Sequence, residues 1–326
     1  MVSREAMAPA LAAIAADQGG VFTAAQAREH GYTHAELQRM RSGRGGTLTT
    51  VRRGVYAWRA YYDSSSPSEQ HRMRVAALYL RFDHSAVLSH QSAAQELGLE
   101  LLEPDLSLLH VTRAAVGTRL EAGVHHHAAE LPADHVVRRE GALDLTTVAR
   151  TAVDVARDSD RFEAAVAVFD SALRMGVSRE VLRQVHLKCR SWPGARYVGR
   201  ALDLADGRAA NPGESWSRVA LIEQGVAPSD LQVPVFDELG LIGYADFGWP
   251  GVLGEFDGKG KYGIAVDTDP QEAVRIVRRE KLREDRLRVH HEVVRWGYAD
   301  LYRPAVLAGH IRAAQARSAA RSSRAG

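Results

Sequence analysis

The chain has 326 residues, of which 45% are hydrophobic and 25% charged, and its formal net charge is +2. This length predicts two or three domains, and the composition excludes a disordered chain. Its single cysteine, Cys189, excludes a disulfide framework and a cysteine-based zinc site, and fits a reducing cytoplasm. The sequence has no apolar run of about 18 residues and no signal-peptide core near its start, so we expect no membrane association.

The first segment of the chain alternates short helical patterns with turn residues. Thr23 and Thr33 each stand where a helix cap is expected, and Gly54 separates two strand-like segments, TLTTVRRG and VYAWRAY. Helices followed by a two-stranded wing are the order of a winged helix-turn-helix, which we predict for residues 1–62. The alternative is a small helical domain whose arginines only contact solvent.

Five side chains of this segment are candidates for DNA contact. The second small helix would enter the major groove, and the wing would reach the phosphates. The groove candidates are Gln38, Arg39 and Arg41, and the phosphate candidates are Arg52 and Arg53. Double-stranded DNA is therefore the predicted partner of this segment.

The run GGVFTAAQAREHGYTHAELQRMRSG, with the Gly-Val-Tyr that follows it, resembles the N-terminal domain of AbiEi-type antitoxins of type IV toxin–antitoxin systems. The resemblance continues through AVLSHQSAAQELGL, LHVT and LTTVARTAVDVAR. It implies a first domain that binds operator DNA and represses its own operon. It also implies a cytoplasmic protein with a cognate toxin as protein partner, and a C-terminal part that varies within the family.

The middle region, residues 63–208, has the helix and strand patterns of an α/β scaffold, without a phosphate-binding loop or a nucleophile motif. Arg150 and Asp154, at i and i+4, predict an ion pair on a helix surface. In an extended segment His125 and His127 share one face, but no third ligand follows at a standard spacing. We therefore interpret this histidine triplet as structural.

The segment LGLIGYADFGWPGVLGEFDGKGKY, from Leu239 to Tyr262, is the most informative for chemistry. It predicts two strands joined by a turn, with Asp246 in the first strand. Glu255 and Asp257 project from one side of the second strand, because side chains alternate along a strand. Three carboxylates around one point suit Mg²⁺ or Mn²⁺, which can activate water at a phosphodiester. The alternative is a solvated hairpin with acidic residues at its turn.

The order of elements from Gln232 to Leu301 resembles the restriction-endonuclease-like fold, in particular its very-short-patch-repair branch. The resemblance implies Asp246 and either Glu255 or Asp257 as metal ligands. It also implies that Glu214, in the segment PGESWSRVALIEQG, reaches the same site.

One position departs from the pattern of that family. The pattern has a lysine two positions after its second acid, and two positions after Glu255 this chain has Asp257. Lys259 or Lys281 would then have to supply the missing cation. Loss of one preorganised charge lowers a catalytic rate by on the order of 10²–10³, so we expect slow cleavage at best.

The sequence thus predicts an α/β multidomain protein. A winged helix-turn-helix occupies residues 1–62, an α/β domain 63–208, and a restriction-endonuclease-like domain 209–305. A basic tail, 306–326, is an alanine-arginine helix that frays into disorder. The predicted function is a DNA-binding transcriptional regulator or antitoxin. The alternative is a DNA endonuclease that uses Mg²⁺ or Mn²⁺. A scaffold for a toxin protein has the same sequence features as the regulator and stays open beside it.

Overall fold

A computed structural model of the chain describes residues 9–42, 45–81, 86–114, 117–189, 192, 194–258, 275, 282–283 and 286–325. Over these ranges the chain is an α/β protein with three sheets, one antiparallel and two mixed. It divides into two compact units, Met1–Leu99 with Glu103–Asp158 and Glu100–Leu102 with Ser159–Gly326. The predicted boundary near residue 209 falls inside the second unit. Among the described helices, none is long and apolar enough to cross a membrane.

The first unit begins with three helices and a three-stranded antiparallel sheet of order β1-β3-β2. Its elements are α1 (Pro9–Asp17), β1 (Val21–Thr23), α2 (Ala24–Glu29), α3 (His34–Arg41), β2 (Leu48–Arg52) and β3 (Val55–Trp58). Thr23 caps α2 and Thr33 caps α3, each in a reciprocal capping box. Gly54 makes the β2–β3 turn with φ +77°. The predicted caps and turn are therefore confirmed.

The rest of the first unit is a six-stranded mixed sheet of order β6-β7-β5-β4-β9-β8, with helices beside it. β5 runs parallel to β7, and β4 runs parallel to β9. The elements are α4 (Arg59–Ser64), α5 (Pro67–Tyr79), β4 (Val87–Leu88), α6 (His90–Leu97), β5 (Leu109–Arg113), β6 (Arg119–Glu121), β7 (Val124–Ala128), β8 (Val136–Val137), β9 (Leu145–Thr146) and α7 (Val148–Asp158).

The ion pair predicted on the surface of α7 forms inside the protein instead. Arg150 Nε donates to Asp154 Oδ2 at 2.8 Å, and both side chains are almost fully buried. Arg150 also donates to the carbonyl of Glu130 at 3.2 Å, and Arg157 donates to the second oxygen of Asp154 at 3.2 Å. Burial raises the pKa of Asp154, and the two arginines oppose that shift. The i,i+4 spacing predicted the pair but not its environment.

The second unit combines helices with a four-stranded sheet of order β10-β11-β12-β13, in which only β12 and β13 are parallel. Its elements are α8 (Phe162–Arg174), α9 (Arg179–Cys189), α10 (Val198–Leu204), α11 (Pro212–Glu223), β10 (Asp230–Asp237), β11 (Gly240–Trp249), β12 (Val252–Asp257), β13 (Glu292–Gly297), α12 (Tyr298–Leu301) and α13 (Pro304–Ala325).

Three tryptophans fill the core of the second unit. Trp216 of α11, Trp249 of β11 and Trp296 of β13 are each at most 6% exposed. The Trp296 indole N–H donates to Ser217 Oγ at 2.8 Å, and that of Trp249 donates to the carbonyl of Ala227 at 2.9 Å. Because both indole donors are satisfied, the rings contribute apolar area at little polar cost.

A buried ion pair joins α8 to α11. The Arg218 guanidinium donates to both carboxylate oxygens of Asp170, at 2.9 and 3.1 Å. The backbone N–H of Asp206 donates to the same carboxylate at 2.6 Å. Burial raises the pKa of Asp170, and Arg218 counteracts this.

The C-terminal segment is a helix over its described length, as predicted, but it packs on the core of the second unit instead of fraying. Leu307 and Ile311 of α13 are at most 2% exposed and belong to the core of the second unit. Two alanines, Ala308 and Ala314, are also fully buried there. Apolar residues at these spacings form one helix face, so packing against the core holds the helix.

Candidate functional site

Helix α3 presents one polar face to solvent. The exposed residues recur at i, i+1, i+4, i+5 and i+8, which is one side of a helix, while Leu37 on the other side is buried. They are His34, Ala35, Gln38, Arg39 and Ser42. None of them is acidic, and the carboxylate of Glu36 accepts the Thr33 backbone N–H at 2.8 Å as part of the cap. The predicted groove residues Gln38 and Arg39 both lie on this exposed face.

Arg41, the third predicted groove residue, lies across the sheet instead. Its Nε donates to Thr50 Oγ1 of β2 at 3.0 Å, and its guanidinium carbon is 5.3 Å from the ring centroid of Tyr56 on β3. A half-buried arginine with these contacts stabilises the packing of a helix on a sheet. The structure therefore gives Arg41 a supporting position behind α3.

The two arginines of the β2–β3 turn differ in exposure. Arg53 is exposed, whereas Arg52 is half-buried. Burial lowers the pKa of Arg52, and the negative charge of Glu121 opposes that change. Of the two predicted phosphate contacts, Arg53 is the side chain that the turn presents to solvent.

The acidic residues of the second unit hold local backbone structure. Asp246 Oδ2 accepts the Phe256 N–H at 2.8 Å, just past the last β11–β12 pair. Glu214 accepts the Ala210 backbone N–H at 2.7 Å and the Asn211 side-chain amide at 2.6 Å at the start of α11. These contacts are typical of a strand end and a helix cap.

Glu255 is buried between two arginines. Arg283 contacts its Oε1 at 2.7 Å, and Arg295 contacts its Oε2 at 2.6 Å. Both oxygens of this carboxylate therefore already contact a positive charge. Asp257, two positions later, is exposed. The two predicted cation donors, Lys259 and Lys281, lie outside the described residues.

The predicted meeting of carboxylates does not hold. Among the residues that the structure describes, one set of three or more histidine, cysteine or acidic side chains has donor atoms that all lie within 4.8 Å, and it consists of histidines. The four carboxylates, Glu214, Asp246, Glu255 and Asp257, are described and form no such set. The predicted convergence of three carboxylates on one ion is therefore not seen among the described residues.

The histidines come together where β5 lies beside β7. His125 and His127 share a face of β7, as predicted, and His110 of β5 is paired with His125 in the parallel register. The rings of His90, the first residue of α6, and His127 stack with centroids 3.6 Å apart. His110 Nδ1 and His127 Nε2 are 2.9 Å apart.

Burial governs the protonation of this cluster. It lowers the pKa of His110 to about 4 and that of His127 to about 3, and it lowers the pKa of His90 well below the ordinary value. Neighbouring imidazoles contribute to the shifts of His90 and His127. These three side chains are therefore neutral at pH 7, which is the form of imidazole that binds metals.

Sequence spacing missed this cluster because its members are far apart in the chain. His90 and His110 stand in the segments AVLSHQSAAQELGL and LHVT, each at or next to a strand. The pairing of β5 with β7 brings His110 to the triplet, and the start of α6 brings His90 there. A useful signal would have been three separate histidines, each in a strand or within two residues of one.

Comparison with known proteins found no matching family model. Two Mycobacterium tuberculosis sequences, named "Uncharacterized protein MT2308" (strain CDC 1551 / Oshkosh) and "Uncharacterized protein Rv2248" (strain ATCC 25618 / H37Rv), are each 30% identical over 197 residues. The match covers 60% of this chain and 70% of each relative. The crystal structure of the RV2827C protein from Mycobacterium tuberculosis is 17% identical, with a TM-score of 0.40 over 60% of this chain and 75% of that one.

Proposed function

This chain belongs to the same family as Rv2248 and MT2308 of Mycobacterium tuberculosis, and we propose that it is a DNA-binding transcriptional regulator of the antitoxin type. The observation that carries the proposal is the exposed face of α3, which has a basic residue and hydrogen-bonding groups and no acid. The resemblance of the first segment to AbiEi-type antitoxins supports the same function.

The elements of the first segment follow the order of a winged helix-turn-helix, with α3 as the recognition helix and the β2–β3 turn as the wing. Arg39 can contact the O6 and N7 atoms of guanine, and Gln38 can make two hydrogen bonds to adenine. Ala35 is small enough to let the helix approach a thymine methyl group. Arg53 on the wing is suited to a phosphate contact, which adds affinity without sequence preference.

The second unit has a partner-binding or structural role in this proposal. The sequence of this unit resembles the restriction-endonuclease-like fold, and a cognate toxin is the partner that the antitoxin resemblance implies. The DNA to which α3 binds would then include the operator of the protein's own operon, so that the protein represses its own synthesis in the cytoplasm.

A metal-dependent endonuclease is the second candidate function. It is favoured by the position of Asp246 and Glu255 on adjacent strands of one sheet. It is opposed by Arg283 and Arg295, which contact both oxygens of Glu255. Because both oxygens of Glu255 contact arginine and no three of the four carboxylates converge, the regulator is the better-supported function.

The test is a binding assay with DNA that the wild-type protein itself selects from genomic fragments of its host. Arg39→Ala and Arg53→Ala are compared with Arg183→Ala, which removes one positive charge from an exposed ion pair in the second unit. Each protein is titrated against a selected duplex and a scrambled duplex of equal length, at several salt concentrations.

Arg39→Ala should weaken binding to the selected duplex by roughly 5- to 150-fold, since one good base contact is worth about 1–3 kcal/mol, with a smaller effect on the scrambled duplex. Arg53→Ala should weaken binding to both duplexes. It should also make the fall of log affinity with log salt concentration shallower, by about 0.9 in slope. Arg183→Ala should match the wild type. If all three variants bind each duplex with the affinity of the wild type, then neither α3 nor the wing contacts DNA.

A further inference from the structure

Three histidines from separate elements of the first unit present nitrogen atoms to one another. His90 begins α6, His110 lies on β5 and His127 on β7, and one ring nitrogen of each lies within 4.8 Å of the other two. Imidazole nitrogen is a ligand of zinc and other late transition metals. The geometry points to a Zn²⁺ site formed by His90, His110 and His127, a property that the regulator function does not include.

One nitrogen spacing of the set is near the value that zinc requires. A tetrahedral ion with Zn–N bonds of about 2.0–2.1 Å holds its ligand nitrogens about 3.3–3.4 Å apart. His110 Nδ1 and His127 Nε2 are 2.9 Å apart. The other nitrogen pairs of the set are at most 4.8 Å apart, so the side chains must adjust when the ion binds. The stacked rings of His90 and His127 must turn relative to one another as the ion binds, because stacked rings do not point their nitrogens at one atom.

His90 already has the outer contact that zinc-binding histidines use. Ser89 Oγ lies 3.0 Å from His90 Nδ1 and accepts a hydrogen bond from Thr112 Oγ1 at 2.8 Å. When Nδ1–H donates to Ser89, Nε2 becomes the ligand nitrogen, and such contacts fix the orientation of a metal-binding imidazole. Ser89 stands at the N-cap of α6 but makes no capping bond. Its hydroxyl therefore serves the histidine.

The backbone of His90 adds an independent observation. Its φ is +49°, in the left-handed region, although the residue begins a right-handed helix. This conformation is unfavourable for a residue with a Cβ atom, and such residues concentrate at functional sites. The conformation sets the direction in which the ring leaves the chain, which is toward β5 and β7.

The surroundings complete a zinc coordination shell. The three histidines leave one position of a tetrahedral zinc site, and because His127 is half-buried, water can take that position. Arg150 and Arg157 both act electrostatically on His90, and Arg157 also acts on His127. Both arginines contact Asp154, whose single negative charge compensates one of them. A bound ion would join α6, β5 and β7 into one cross-linked structure.

The test uses tag-free, full-length protein, because a histidine tag binds zinc itself. Chelator-treated protein is titrated with zinc chloride in competition with a chromophoric chelator. The ligand variants are His110→Gln and His127→Gln, and Ser89→Ala tests the outer contact. His310→Gln, which changes an exposed histidine of α13, is the matched control.

The wild type and the His310→Gln control should bind one zinc ion per chain with equal affinity. Each ligand variant should lose at least about 100-fold in affinity, and Ser89→Ala should lose about 10-fold. Zinc affinity that is unchanged in both ligand variants overturns the assignment.

A second measurement needs no variant and therefore does not depend on how the variants fold. X-ray absorption of the zinc-loaded wild type should show three or four imidazole nitrogens at about 2.0 Å. Fewer than three imidazole ligands would overturn the site as well.

Discussion

Arg295 lies opposite Glu255 in the parallel pair of β12 and β13, and its guanidinium is 2.6 Å from the glutamate. With Arg283 on the other oxygen, the carboxylate is buried as part of an ion triplet. A buried carboxylate is costly unless its charge is compensated. In this protein arginine supplies that compensation, at a position where the nuclease resemblance predicted a metal ion.

The ion triplet predicts the result of a cleavage assay. Plasmid DNA incubated with Mg²⁺ or Mn²⁺ should be nicked no faster by the wild type than by Asp246→Ala or Glu255→Ala. Equal traces of cleavage in all three would indicate a contaminating nuclease. Robust turnover that disappears in both variants would make the endonuclease the better assignment. In that case the two arginines would have to move away from Glu255 before catalysis.

The buried pair of Asp170 and Arg218 predicts a large loss of stability from a small change. Asp170→Asn keeps the shape of the side chain but leaves the buried guanidinium without its counter-charge, which costs about 3–5 kcal/mol. Asp203→Asn is the control, because Asp203 pairs with Arg183 in an exposed bridge, which is worth less than about 1 kcal/mol. Urea unfolding measures both losses. Similar losses of unfolding free energy in Asp170→Asn and Asp203→Asn would contradict the buried ion pair.

His71 predicts part of the acid sensitivity of the first unit. Its Nε2 lies 2.9 Å from Ser92 Oγ in the buried core, and burial lowers the pKa of the imidazole. Arg74 lowers this pKa further, whereas the Leu106 carbonyl and Glu96 raise it. As pH falls below about 6.5, the ordinary value, the unfolded chain takes up a proton that folded His71 does not. The contribution of neutral His71 to the free energy of unfolding is therefore fully present above about pH 6.5. It is lost as pH falls toward the lowered pKa of His71 in the folded protein.

The measurement is the free energy of unfolding between pH 7.5 and pH 5, compared for the wild type and two variants. His71→Gln should lose less stability over this range than the wild type does. His310→Gln, which changes an exposed histidine, should follow the wild type. Parallel curves for the wild type and His71→Gln would show that His71 is protonated in the folded protein as easily as in the unfolded chain.

The elements of the first segment could be predicted from sequence because their signals are local. Thr23 with Gln26 and Thr33 with Glu36 are capping boxes within one helical turn, and Gly54 marks its own turn. Such interactions need no knowledge of the rest of the chain. The exposure of individual side chains was less predictable, because the sheet beneath Arg41 decides where that side chain lies.

The two candidate sites depend on residues that are distant in sequence, which local patterns do not connect. The alternation along β12 predicts Glu255 and Asp257 on one side, but Arg295, forty positions further on, compensates the charge of Glu255. The histidine triplet has no third candidate ligand at a nearby spacing. His110 and His90 reach it through the pairing of β5 with β7 and through the start of α6.

The uneven distribution of tryptophan gives the two units different optical signatures. Four of the five indoles belong to the second unit, where Trp216, Trp249 and Trp296 are buried. The first unit has Trp58, which is half-buried. Intrinsic fluorescence therefore reports mainly on the unit that contains the carboxylates. A Trp58→Phe protein would confine the tryptophan emission to that unit, and a protein without the four tryptophans of the second unit would report on the first unit through Trp58 alone.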